Sequence, residues 1–335
     1  MKQYSTILFQ LDESCRLIED GRDEHLRVAL LLLDNAAEIQ MDWAIRVEQQ
    51  FAAWQEQSRE LALQIPASER TPRMQELVDW QPLTKTQRRA IDRFFNAKVD
   101  FLSSIPEQFN PAYAAPLKYL HGYRNEAYHR GEVRQETLNI SCRLLVEINC
   151  DLLESLHRLW TSQASNVDYS WLEQRYGRRV AELAGDKGFP HWAAEELRNR
   201  AFVDDESVAT ALSEHFDARV TRLLENLDFI LENANAFESR DDVFRTIQYF
   251  ATLGDGADPS IWRLPRDYRP PTTVGDVEAL RDRRREILAC GTRLEAFGVY
   301  STLEGALEGY EGDVREAALQ VDMAVQDAVD RALGK

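Results

Sequence analysis

The segment Arg124-Asn125-Glu126-Ala127-Tyr128-His129, with Gly131 just behind it, places a cation, an adjacent amide and a proton-transfer group within one short stretch. Arginine carries a planar, permanently charged fork that grips anionic oxygens. Histidine is the side chain that titrates near neutral pH, as a general acid or base must. The chemistry this set offers is proton transfer beside a negatively charged oxygen. With 34 Arg and 6 His in 335 residues, an Arg five positions before a His arises by chance about 0.6 times. Requiring one of the 11 Asn directly after the Arg lowers that to roughly 0.02. The other Arg-Asn pair, Arg198-Asn199, has no histidine in the same window.

The elements that must hold these residues are helices. Residues four apart share a helical face, so Asn125 lies beneath His129 and can orient its ring. Arg124 sits one position round, within reach of the same point through its long side chain. Gly131 supplies the left-handed residue that stops the helix just past the histidine. On a helix over about 84–105, Lys85, Arg89 and Arg93 line one face at four-residue spacing. That face is either an ordinary solvated stripe or a phosphate-binding wall beside the motif. Tyr128 and Arg130 flank the histidine. A tyrosine there could stack on an unpaired base, or pack in the core.

Arg-Asn, three residues, His, then Gly, on a helix entered through Leu117-Lys118-Tyr119-Leu120-His121-Gly122-Tyr123 and followed by an amphipathic helix from Arg134 to Trp160, resembles the active-site motif of HEPN domains. The resemblance covers roughly residues 1–165, and the motif is its one specific part. It implies a small helical bundle with metal-independent endoribonuclease activity, completed by two motif helices meeting across a homodimer. Carried over by position, Arg124 and His129 would be catalytic and Asn125 supporting. Lys85, Arg89, Arg93, Tyr128 and Arg130 would be candidate RNA contacts. No cofactor and no metal is implied. A toxin or antiviral-defence setting is implied, with RNA, tRNA among it, as target and a regulatory protein as a further partner. Some relatives carry a modifiable Tyr two residues after the histidine; here that position is Gly131.

Composition bounds the rest. The chain is 44% hydrophobic with 10% aromatics, as expected of a folded protein. Four cysteines, Cys15, Cys142, Cys150 and Cys290, show neither CxxC spacing nor disulfide density, so reduced thiols in a cytoplasmic protein are expected. No apolar run approaches a membrane span; the longest, Leu26 to Leu33, is broken by Arg27 and ended by Asp34. A net charge of −17 argues against general coating of nucleic acid. Residues 69–134 carry eleven Lys/Arg against eight Asp/Glu, a local +3 around the motif that leaves −20 for the remainder.

Helical periodicity runs through nearly the whole chain, with no sustained strand alternation, so an all-α fold is predicted. Helices are expected over about 5–20, 23–65 (Asp23 as cap, Pro66 as stop), 73–80, 84–105, from Pro111 through the motif, and 135–160. A break over 161–167 would divide a HEPN-like bundle, 1–165, from an acidic helical region, 166–335. That second region is expected to hold helices over about 168–184, 192–200, 204–235, 239–253, 276–297 and 303–333. An irregular Pro/Gly-rich segment at about 254–275 interrupts it.

Two metal patterns fail to build a set. His25, His157, His191 and His215 are scattered, and Glu126/His129 with Glu154/His157 have the spacing of a di-iron bundle but lack its two further glutamates. A second class of function stands beside the nuclease: a non-catalytic helical interaction module, a sensor or antitoxin-like partner, favoured by the overall acidity. A third makes the acidic second half a cover over the basic cleft.

Overall fold

A computed structural model describes residues 2–105, 109–129, 135–155, 170–177, 188–234, 236–253, 264–265 and 267–333. All regular structure among them is helical. The chain divides into two compact units, Met1–Val203 and Asp204–Lys335. The break expected at about 165 lies outside the described residues. The first unit continues past it because α9 (Gly188–Ala201) packs on α7 (Gln135–Ser155) and α1 (Lys2–Asp20). Phe189, Trp192, Ala194 and Leu197 are buried on that helix. Arg200 reaches Glu19 and Asp12 of α1, which also holds Tyr176 of α8 (Ser170–Tyr176).

The spine of the first unit is α2 (Asp23–Leu63), 41 residues or about 60 Å long. Gly21, at φ +74°, closes α1 and turns the chain into it. The expected Asp23 cap is corrected here. Arg22 holds the N-cap position without a side-chain bond, and Asp23 and Glu24 lie in the first turn, where carboxylates complement the exposed N–H groups. The proximal half of α2 is buried through Leu26, Ala29, Leu30, Leu33, Ala37 and Met41. It packs against α1 and α7, and the buried amides of Gln40 and Asn149 pair at 2.8 Å across α2 and α7. The distal half carries α3 (Pro72–Asp79), with Arg59 Nε donating to the Val78 carbonyl.

The helix expected over 84–105 is two helices, α4 (Lys85–Arg93) and α5 (Phe95–Ser103). Thr84 and Gln87 form a capping box at the start of α4. The break falls at Phe94, which is extended and 59% exposed, while Ile91, Phe95, Val99 and Leu102 are buried. These four share one helical face at i, i+4, i+8 and i+11, so their spacing alone does not mark the break. After a 3₁₀ turn at Pro111–Tyr113, α6 (Ala114–His129) carries the motif and packs on α5 and α2.

In the second unit α10 (Asp205–Asn233) and α14 (Arg293–Ala332) lie side by side. Their contacts advance together, from Asp205–Arg293 through His215–Tyr300 to Arg219–Glu304, so the two run parallel. The crossover between them is α11 (Arg240–Leu253), α12 (Val274–Asp282) and α13 (Arg284–Leu288). The expected helix over 276–297 is therefore broken, and the last helix starts ten residues earlier than 303. Thr292 caps it by accepting from the Glu295 amide, just after Cys290-Gly291 ends the preceding turn. Half of the Pro/Gly-rich segment, residues 254–263 and 266, lies outside the described residues.

Candidate functional site

The motif helix meets α2 at one buried acid. Leu117, Leu120 and Tyr123 sink into the core and seat α6. On the adjoining turn-spaced positions, His121 and Arg124 both face Asp34, whose side chain is 2% exposed. His121 Nδ1 lies 2.9 Å from Asp34 Oδ1 and 3.2 Å from Oδ2. Arg124 Nε lies 3.2 Å from Oδ2, and its NH1 donates to the Asn125 side-chain oxygen at 2.8 Å. Phe95 of α5 stacks flat on the His121 ring, 3.8 Å between centroids and 4° between planes.

This arrangement has defined chemistry. A buried carboxylate cannot stay ionised without partners. Here an imidazole and a guanidinium supply them. In the tautomer whose Nδ1–H donates to Asp34, Nε2 is the acceptor nitrogen of the His121 ring. The ring cannot turn away, because Phe95 covers one face. Arg124 is oriented rather than loose: one edge is held by Asp34 and Asn125.

Of the residues singled out in the sequence, the structure thus brings Arg124 and Asn125 together. Asn125 accepts from Arg124 through its side-chain oxygen, and the contact with the His129 ring expected for it lies outside the described side chains. The side chains of Tyr128 and His129 lie outside the described ones, as do Arg130 and Gly131 entirely. The α6 backbone is helical through His129, which puts its Cα about 6 Å further along the axis than that of Asn125. Lys85, Arg89 and Arg93 stand exposed on α4, and Arg93 lies over the Phe94 ring at 6.0 Å. It is α5 that continues from α4 to pack on α6.

Asp34, His121 and Phe95 form the part the sequence reading missed. Asp34 looked like the end of an apolar run. Its signal was positional: it falls on the core-facing sequence Leu30, Asp34, Ala37, Met41, where a lone acid requires a buried partner.

Among the described residues no three or more His, Cys, Asp or Glu side chains gather where they could share a metal ion. Glu154, half of one di-iron-like spacing, is instead bound by Arg198 and His191 of α9. Burial, the largest single effect, raises its pKa, but the hydrogen bonds and charges of Arg198 and His191 together outweigh it and the carboxyl ends below its ordinary range. In the second unit a groove of about 820 Å³ is lined by Gln248, Thr272, Leu280, Arg283 and Tyr310. Its polar groups have structural work: Asp276 caps α12, Arg283 pairs with Glu286, and Thr272 bonds Tyr310.

No helix among the described residues is long and apolar enough to cross a membrane. No family model matches the chain, and no curated protein or solved structure is significantly similar to it.

Proposed function

We propose that the α6 surface is the active site of a HEPN-type, metal-independent endoribonuclease. The observation that carries this reading is the Arg124 guanidinium, ion-paired with buried Asp34 and hydrogen-bonded through NH1 to Asn125, one helical stretch before His129. In the proposed reaction a ribose 2′-OH attacks the adjacent phosphorus. The bond to the 5′ oxygen of the next nucleotide breaks, leaving a 2′,3′-cyclic phosphate and a 5′-OH. One group removes the 2′-OH proton and another returns a proton to the departing oxygen. His129 serves in this exchange, with His121 one face along the same helix and oriented by Asp34. Arg124 stabilises the charge that builds on the phosphoryl oxygens. Asn125 holds the guanidinium at its angle. A role as toxin or antiviral effector, cytoplasmic, with motif helices paired across a homodimer and a regulatory protein partner, follows from the resemblance.

The test is cleavage of total RNA and purified tRNA in excess EDTA by the wild type, His129→Ala and His121→Ala, with product ends typed for cyclic phosphate. EDTA-resistant cutting that is lost in His129→Ala supports the reading. Undiminished cutting by His129→Ala sinks it.

A second reading has its own observation. Arg124 Nε and NH1 are both engaged within the chain, as they would be in a strut joining α6 to α2. In that reading the protein is a helical interaction module. Absence of RNA cleavage by the wild type, with Arg124→Ala lowering the melting temperature, would favour it.

A further inference from the structure

The distal half of α2 presents a face that the fold leaves uncovered. Phe51, Trp54 and Leu61 are 52%, 56% and 65% exposed, and the Phe51 and Trp54 rings stack at 5.8 Å. At 100° per residue these fall on one side of the helix, together with Gln50 and Gln57. Charged side chains avoid that side. Between Val47 and Arg59 the helix carries Glu48, Glu56 and Arg59, and these project roughly 120–160° away from Trp54 at the centre of the face. Glu56 reaches Arg88 of α4, and Arg59 bonds the Val78 carbonyl of α3. In a chain of which 29% is charged, this is a face cleared of charge.

We propose that this face pairs two copies of the chain, antiparallel about a twofold axis near Trp54. Three properties select a second copy. Net charge is −17, so two chains repel everywhere except where acids are absent. The one cation and one anion bounding the face are exposed Arg46 at its start and exposed Glu60 at its end. Antiparallel pairing brings Arg46 of each copy toward Glu60 of the other, complementarity that an isologous interface requires. It also sets Trp54 near its own mate and Val47 near Leu61. The face lacks the cations that would attract RNA.

The apolar patch alone supplies less than half of a standard interface, so the flanking polar residues must complete the contact. Phe51, Trp54 and Leu61 expose roughly 350 Å² of side chain per protomer, against the ~800 Å² per partner of a standard interface. The glutamines and the two charge pairs extend the contact along about 23 Å of helix. This surface is separate from the motif-helix pairing in the functional proposal, and Trp54 lies about 30 Å along α2 from Asp34.

Sedimentation equilibrium of the full chain over about 1–100 µM tests it. The wild type is expected to move from 38.6 kDa toward twice that mass. Trp54→Glu, an exposed change that leaves the helical circular dichroism intact, is expected to weaken association by at least about thirtyfold. Arg46→Glu weakens it too, and the swap Arg46→Glu/Glu60→Arg restores it. A wild type that stays at one chain mass overturns the proposal, as does a dimer indifferent to Trp54→Glu. A swap that fails to restore what Arg46→Glu loses overturns the antiparallel pairing.

Discussion

Replacing Arg124 tests whether the motif arginine holds the fold, apart from the chemistry proposed for it. Arg124→Ala removes the Nε contact at 3.2 Å and leaves Asp34, 2% exposed, with His121 as its remaining described partner. Depriving a buried carboxylate of a charged partner costs about 1–3 kcal/mol, more where no water reaches it. Arg124 is 28% exposed, so solvent screens part of the interaction and about 2 kcal/mol is the working figure. For a unit spanning Met1–Val203 that corresponds to a fall in Tm of about 4–8 °C. Asp34→Asn keeps the shape and removes the charge. In that background Arg124→Ala should cost about 1 kcal/mol or less, giving a coupling of about 1–2 kcal/mol between the two positions. Urea unfolding of the four proteins, followed by circular dichroism, measures the cycle. A coupling below about 0.5 kcal/mol would refute the idea that Asp34 anchors the motif helix. The same cycle calibrates catalysis. Turnover must be expressed per folded molecule, since loss of RNA cleavage in proportion to loss of fold would say nothing about the phosphate.

Three other outcomes are expected. Of the four thiols, Cys290 alone should react with an aromatic disulfide reagent at pH 8 in the native protein, and all four after denaturation. Cys15 is pushed up to about 12 by burial, and burial raises Cys142 and Cys150 as well. Gly21→Ala forces a Cβ into φ +74° and should lower stability by about 1–2 kcal/mol, read as a shifted urea midpoint, with Gly21→Asn costing less. On acidification, Glu19 is held below its ordinary range by the hydrogen bond from Arg200, and Asp217 by that from Arg281. Such groups contribute stability above the unfolded carboxylate pKa of about 4 and lose it as pH falls through their depressed folded values. The guanidinium midpoint should thus be flat from about pH 7 to 5 and fall below about 4; a midpoint unchanged at pH 2.5 would contradict this.

What the sequence disclosed, and what it hid, follows from range. The stops at Gly21 and Pro66, the Thr84 opening and the all-helical architecture are local matters, written in capping residues and in 3.6-residue periodicity. Phe94 was misread because the apolar residues from Ile91 to Phe101 satisfy one helix nearly as well as two. Spacing alone does not decide between them; the break shows in the extended backbone of Phe94. Gly298, Gly305 and Gly309 are poor helix formers, yet α14 runs through all three. Its pairing with α10 outweighs their propensity. Asp34 and His121 are 87 positions apart, and nothing in either neighbourhood announces the other. The motif itself was legible because its members are neighbours in the chain, and its partner was not because it comes from another helix.

The continuity of α2 has a consequence for how this protein can vary. Asp34 and Trp54 ride on one unbroken helix, about 200° apart in azimuth. A single residue inserted between them would rotate everything downstream by about 100° and shift it 1.5 Å. The apolar face would then swing into the flank that carries α3 or α4, while charged Glu56 or Arg59 turned outward. Loss of seven residues would change the azimuth by only about 20° but draw the two ends about 10 Å closer. Changes of length in this stretch thus disturb both ends at once, and whole heptads disturb their relative azimuth least: the helix keeps time between its two ends.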